Sequence, residues 1–451
     1  MIIYSIFALL LFVYFFYLGM KYPIKGINHF IIFSVFYYII RYSISSGVNN
    51  ILSLWIDFSI LGLSVPILLL SRKLKNLDNK LLIKILFLLL YGLILLLITL
   101  GFNDLSIFRS IDKYRDYMLL PIFAYCSYIT IIINYNNSKI IFKTISILAA
   151  ISVFIFILQY IYINILNHHP TELFMVKNRY GDPTDLQNYN YEFVPLFYLF
   201  NQPIIRIPGI FLQSHQSAHL MAIGFVCFHS IFNNYAKNKI LLGSFVFIIF
   251  LCILLSFIKM SMMMIIIYLL YFYWKKIIIK PYRLLIPAFL IILLGNTFLP
   301  IYQKYAILIK NLPYYIYSSK AESINQYLTK NNIITIFTGN GYLNPLTAYK
   351  GLSGDDFFIF FMTDQIGIIG VCLYLTIFFS VLFYKFRYTE ILFGLKHIIM
   401  SMKGIILIGL FSTFHYSTIM TYSIQAITYA SVGTLYGLKW WEKDFISSSS
   451  N

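Results

Sequence analysis

The chain has 451 residues, of which 60% are hydrophobic, 19% aromatic and only 11% charged, with mean hydropathy +0.79 and formal net charge +18. These values exclude an ordinary soluble domain, and apolar runs near the roughly 17 to 25 residues that cross a hydrocarbon core recur along the whole chain. The basic residues lie between those runs, which argues against nucleic acid as a partner.

In chain order the runs predict spans over 2–20, 27–41, 51–71, 82–101, 117–135, 141–165, 207–231, 240–258, 261–274, 284–300, 357–384, 404–420 and 423–439. This is an all-α, polytopic membrane bundle of about 12 to 13 spans. The first run lacks the basic segment and small-residue cleavage site of a removable signal and reads as a retained span. Cys126, Cys227, Cys252 and Cys372 all fall in apolar runs with no C-x-x-C pair, against both a disulfide framework and a metal site.

Lysine and arginine set the orientation. With the RKLKNLDNK loop (72–80) on the cytoplasmic side, so are 21–26, 136–140, 232–239, 275–283, 385–403 and the C-terminal tail. Those segments and their flanks hold 21 of the 34 Lys and Arg, as the positive-inside rule asks. The chain then divides into N-terminal spans (1–165, with a short outer loop at 102–116), a long outer loop (166–206), central spans (207–300), a second long outer loop (301–356), and C-terminal spans with a tail (357–451). Loops of that length in a compact protein are more often functional than filler.

Lysine follows the rule and arginine runs against it. Arg41, Arg109, Arg115, Arg179 and Arg206 fall outside, against Arg72, Arg283 and Arg387 inside. A guanidinium fork binds phosphate at two points and an ammonium does not, so outer-face arginines point to a phosphate or diphosphate ligand.

The segment RIPGIFLQSHQSA (206–218) resembles the R-x-x-G-x-F-x-x-P-N-x-x-A signature of the O-antigen ligase and polymerase superfamily. Arg206, Gly209, Phe211 and Ala218 match in spacing, while Ser214 and His215 replace Pro-Asn. DFFIFFMTDQIGIIG (356–370) is similar to the second signature, a His-Asn pair followed after nine residues by G-x-x-G. Gly367 and Gly370 match, and Asp356 and Phe357 stand in place of His-Asn. GNGYLNP (339–345) resembles the glycine-rich turn that often precedes this block.

The resemblance implies a glycosyltransferase C-like fold in the bacterial inner membrane. Its substrate would be an oligosaccharide on undecaprenyl diphosphate, transferred at the periplasmic face to a hydroxyl acceptor without cofactor or metal. Cations set in place stabilise the charge that develops on the diphosphate, and a carboxylate or imidazole takes the acceptor proton. Arg206 then clamps the diphosphate with Arg109, Arg115 and Arg179, Gly209 shapes the approach, and His215 and His219 contact substrate. Asp356, Asp355 and Asp364 are the candidate bases. Membrane lipids and a chain-length regulator protein are the other partners the class implies.

Blander readings stand beside these. Arg206 anchors its helix at the headgroups; Arg109 and Arg115 pair with Asp112 and Asp116; His215 and His219, at i, i+4, pack in the bundle rather than ligate a metal. His168 and His169 read as turn residues, and Asp57 as a buried partner of some donor. Asp355 and Asp356 also suit a helix N-terminus. Among activities, the pattern favours a polysaccharide polymerase of the Wzy type. The alternatives are the ligase that moves finished chains to lipid A-core, and a lipid-linked oligosaccharide flippase or other transporter.

Overall fold

The computed structural model describes residues 2–43, 49–74, 77–102, 114, 120–169, 172, 197–199, 202–234, 238–256, 258–279, 333–339, 358–387, 394–412 and 422–449. They are almost entirely helical: α1 (Ile2–Lys21), α2 (Pro23–Ser43), α3 (Asn49–Ser71), α4 (Lys80–Phe102), α5 (Pro121–Ile133), α6 (Asn137–Tyr160), α7 (Ser214–Asn234), α8 (Lys239–Leu255), α9 (Lys259–Ile279), α10 (Ile333–Thr338), α11 (Phe358–Leu382), α12 (Lys396–Ser412) and α13 (Tyr422–Ser449). A π-helical turn, Ile161–Ile165, continues α6. The departure from an all-α reading is a hairpin of two three-residue strands, β1 (Phe197–Leu199) and β2 (Gln202–Ile204), paired antiparallel.

Five of these helical stretches are long and apolar enough to cross a membrane: Tyr4–Lys21, Leu54–Ser71, Lys80–Leu100, Asn137–Ile165 and Gln365–Leu382. Their outward faces are greasy. On α4, Phe87, Leu90, Ile94 and Leu97 form a helical stripe, each more than half exposed. A contiguous apolar strip of that kind is out of place in water.

Small residues set the closest helix contacts. Gly433 and Gly437, one turn apart on α13, face α5, where a Cβ on Gly433 would strike the carbonyl of Ala124 and one on Gly437 the side chain of Ile131. Backbones that close gain dispersion contacts along the whole crossing, the usual role of small-xxx-small pairs. The threonines buried in this seam are satisfied within their own helices. Thr130 donates to the carbonyl of Cys126 (2.8 Å), Thr428 to Ile424 (2.7 Å) and Thr434 to Ala430 (2.8 Å).

The bundle has two chemically different ends. At one, the Tyr128 hydroxyl donates to the carbonyl of Asp78 (3.0 Å), Lys443 lies 3.9 Å from the Asp78 carboxylate, and the Trp441 indole donates to Ile131 (2.9 Å). There too Lys84 reaches the Thr376 carbonyl (3.2 Å), Lys403 the Tyr384 carbonyl (2.6 Å), and the Arg387 amide the Glu442 carboxylate (2.5 Å). Ser230 on α7 meets Ser401 on α12, and the ring of His397 packs on Phe142. Pro66 on α3 packs beneath Gly19 on α1, which brings the turn at 21–26 to the same end. This basic end therefore gathers the segments that the charge pattern assigns to one side.

Several expected boundaries move. The run at 207–231 becomes helical only at Ser214, because Gly209 and Leu212 both have positive φ (67° and 55°) and Pro208 lacks an amide hydrogen. The span expected at 404–420 begins at Lys396, after a turn with Gly394 at φ 60°, and its described part ends at Ser412. The helix expected at 423–439 runs on to Ser449. The expected span at 284–300 lies outside the described residues.

Candidate functional site

The segment 205–213 is a non-helical hook, fastened to the far end of α6 by side chains that stand in for missing helical hydrogen bonds. The carboxamide of Asn164 takes the amide hydrogen of Ile205 (2.8 Å) and donates to its carbonyl (3.0 Å), while Gln159 accepts from the amide of Gly209 (2.7 Å). Ser217, a turn into α7, closes the hook: it donates to the Pro208 carbonyl (2.8 Å) and accepts from the Phe211 amide (3.3 Å). Ser217 lies against Gly209 where a Cβ would stand, and the φ of +67° independently disfavours an L side chain there. Ile205, Ile207, Ile210, Phe211 and Leu212 are buried and seat the hook in the bundle.

The backbone of the hook is thus well provided with partners, and its side chains are not. Arg206 Nε, Gln213 Oε1, Ser214 Oγ and Gln216 Oε1 are buried without a hydrogen-bond partner among the described residues, four such groups within eleven residues. Ser214, 2% exposed, opens α7. An unpaired buried polar group costs about 1–3 kcal/mol, so a run of them calls for an explanation. The first amides of α7 have no intrahelical acceptors, and with the guanidinium of Arg206 they make the hook a place that favours an anion.

His219 is fully buried and its Nδ1 sits 2.5 Å from the carbonyl of His215, so that ring nitrogen is committed to the backbone of its own helix. Arg206 and Gly209 lie in the hook itself, and His215 and His219 lie in the first two turns of α7.

The second piece is built around a break in a helix. Gly367 interrupts α11 with φ 65° and ψ 172°. Against the break lies the end of α10 and Gly339, whose φ is 84°. A Cβ on Gly339 would strike the carbonyl of Gln365, and one on Gly367 the carbonyl of Phe337, so the two chains cross at backbone distance. The crossing is bridged by Tyr91 on α4, whose hydroxyl faces the carbonyls of Thr338 (2.7 Å) and Ile366 (3.0 Å). Tyr91 is about 16 Å along α4 from Lys80 at 1.5 Å per residue, so residues 333–339 reach well into the helical layer rather than lying over it. The first glycine of GNGYLNP and the first glycine of the second signature are therefore in direct contact. Helices α12 and α13 pack against both α7 and α11 and so carry both pieces.

Asp364 is a backbone position on α11, three residues before Gly367. Asp355, Asp356, Arg109, Arg115 and Arg179 lie outside the described residues. His168 and His169 do form a turn: the ring of His168 stacks on Tyr162 at 4.2 Å, its Nδ1 lies 2.7 Å from Glu172, and the His169 amide donates to Glu172 (3.1 Å). That amide, together with the Tyr162 hydroxyl and His168, holds the Glu172 carboxyl below its ordinary range. Asp57 is buried within α3, at 8% exposure.

Gln159, Asn164, Ser217 and Tyr91 carry the site and were not expected from sequence. Gln159 and Asn164 left a signal, as two carboxamides in the last turns of an otherwise apolar run. Tyr91, in a leucine-rich run, left none. Compared with known proteins, the chain matches no protein-family model and no curated protein.

Proposed function

We propose that the protein is a multi-pass membrane glycosyltransferase of the bacterial inner membrane, a glycosyltransferase C-like bundle of about 12 to 13 spans. It joins oligosaccharide repeat units carried on undecaprenyl diphosphate into a surface polysaccharide, without metal or cofactor. The observation that carries this reading is the hook at 205–214: the Arg206 Nε and the Ser214 hydroxyl, buried and without partners among the described residues, beside the N-terminus of α7, at the end of the bundle opposite the Tyr128–Asp78–Lys443 cluster. With the basic end cytoplasmic, the hook lies at the periplasmic boundary, where a lipid-linked diphosphate presents its sugar.

In the reaction, Arg206 and the amides of α7 hold the diphosphate of the donor. The bond between the anomeric carbon and the diphosphate oxygen breaks, and the negative charge that develops is met by donors already in place. The acceptor sugar hydroxyl forms the new bond to that carbon, and its proton passes to a carboxylate. Asp356 is first in order for that role by its place in the second signature, with Asp355 and Asp364 next.

The purified full-length protein in lipid vesicles, supplied with an undecaprenyl-diphosphate oligosaccharide, tests the reading directly. The expected product is a ladder of lengths, released with free undecaprenyl diphosphate, that Arg206→Ala abolishes. Unchanged donor with the folded wild-type protein and its cognate oligosaccharide would overturn it.

A further inference from the structure

A second feature lies at the opposite, basic end. Between α3, α4 and α5 runs a groove of about 680 Å³, within the roughly 300–1,000 Å³ of small-molecule sites. Its walls are apolar, with Leu68, Leu77, Leu82, Ile85 and Ile122 among them, and Arg72 and Asn79 stand at its mouth. Leu86 at its edge is 46% exposed and continues the greasy stripe of Phe87 and Leu90 on α4, so the groove opens sideways onto the apolar surface.

Two independent observations show what it fits. Tyr125, 1% exposed, lines the groove with its buried hydroxyl beside that of Ser71, which itself donates to the Leu68 carbonyl (2.7 Å). Arg72 is exposed, and among the described residues neither a hydrogen bond nor an ion pair ties it down. Lys73 and Lys80 flank the same mouth, and the nearby carboxylate of Asp78 faces Lys443. The mouth is therefore cationic, the walls apolar, and a pair of hydroxyls, Tyr125 and Ser71, lies inside.

We infer that this groove holds one anionic phospholipid, with an acyl chain along the leucine wall, an ester carbonyl accepting from Tyr125, and the phosphate at Arg72. A soluble anion would use only the mouth, and a neutral apolar ligand only the walls. A phospholipid with a net negative headgroup uses all three features, and lateral access from the apolar surface suits it. This inference rests on the bundle being embedded in a bilayer and not on the transferase reading, since the groove and the hook lie at opposite ends.

Native mass spectrometry of the full-length protein, released from detergent and titrated with dioleoyl phosphatidylglycerol or dioleoyl phosphatidylcholine, tests it without any activity assay. The expected result is a one-to-one adduct retained at least fivefold better with phosphatidylglycerol. Arg72→Gln should erase that preference while leaving phosphatidylcholine unchanged. Arg72 is exposed, so its replacement leaves the fold intact, and a matched thermal unfolding curve checks this. As a second measurement, phosphatidylglycerol with a photoreactive acyl chain should label the peptide 68–89. Equal retention of the two lipids, undiminished preference in Arg72→Gln, or labelling confined to other helices would each overturn the proposal.

Discussion

At the scale of single residues, Arg206 separates a binding role from an anchoring one. A headgroup anchor needs only a positive charge on a long stem, and lysine supplies that. A diphosphate clamp needs the planar fork, and lysine does not supply it. Arg206→Lys is therefore expected to lose about 10- to 100-fold in turnover, close to the loss in Arg206→Ala, because a charge-assisted hydrogen bond contributes roughly 1.5–3 kcal/mol and each 1.4 kcal/mol is tenfold. Polymer length on gels, with protein abundance in the membrane held equal, reads the outcome. Wild-type ladders from the lysine variant would leave Arg206 an anchor. Asp356 poses the same kind of choice between base and helix cap. Asparagine keeps the capping oxygen and cannot take a proton, so Asp356→Asn is expected to insert normally and yield single repeat units only, while Asp355→Asn is tolerated; full-length polymer from Asp356→Asn would remove it from catalysis. Of these residues, Arg206 and Gly209 were legible in the sequence because their chemistry is local: a cation at a boundary and a glycine where φ is positive. Ser217 was not, because its two hydrogen bonds depend on how the chain turns back on itself.

At the scale of elements, the break in α11 is the feature on which a stability measurement bears most directly. Tyr91 places its hydroxyl within hydrogen-bond distance of two carbonyls where one helix ends and another breaks, those of Thr338 and Ile366. Tyr91→Phe keeps the ring and removes the donor, which should cost about 1–3 kcal/mol, seen as a lower unfolding temperature in detergent. Gly367→Ala should cost more. Its side chain would meet the Phe337 carbonyl, and its φ of 65° is one that alanine adopts only under strain. If Gly367→Ala unfolds at the wild-type temperature, the crossing of α10 and α11 does not exist as described. The long apolar runs were easy to read because twenty apolar residues admit few alternatives to a helix. The hook and the crossing were not, since each is apolar in composition and non-helical for conformational reasons confined to a few positions. Hydropathy runs through Gly209 and Pro208 without a break, and the start at Ser214 shows only in the backbone angles and in the side chains of α6.

At the scale of the whole molecule, the separation of the two ends is the claim on which the others depend. Loops distant in sequence lie at one end: Asp78 of the 72–80 loop and Tyr135 of the 134–139 turn meet the tail of α13 at Lys443 and Trp441, Arg387 meets it at Glu442, and the turn at 21–26 lies at the same end through Gly19 and Pro66. The hook and the His168–Glu172 turn lie at the other, beyond the far end of α6. A 24-residue helix such as α6 spans about 36 Å at 1.5 Å per residue, enough to hold the two ends on opposite sides of a hydrocarbon core. The excess of lysine at the first end is what the positive-inside rule expects of a cytoplasmic face. Green fluorescent protein fused after Asn76 or Ser449 is therefore expected to fluoresce, and alkaline phosphatase fused after His168 or Ser323 to be active, with each reporter silent at the other pair of sites. Asn76 and Ser323 lie outside the described residues, so these two sites also probe the expected loops directly. Phosphatase activity at Asn76 together with His168 would place both ends on one face and sink the assignment of the hook to the periplasm. Activity at His168 and silence at Ser323 would spare the hook. It would require an odd number of crossings where 166–332 is expected to hold an even number, and it would move the second long loop, with Asp355 and Asp356, to the cytoplasmic side.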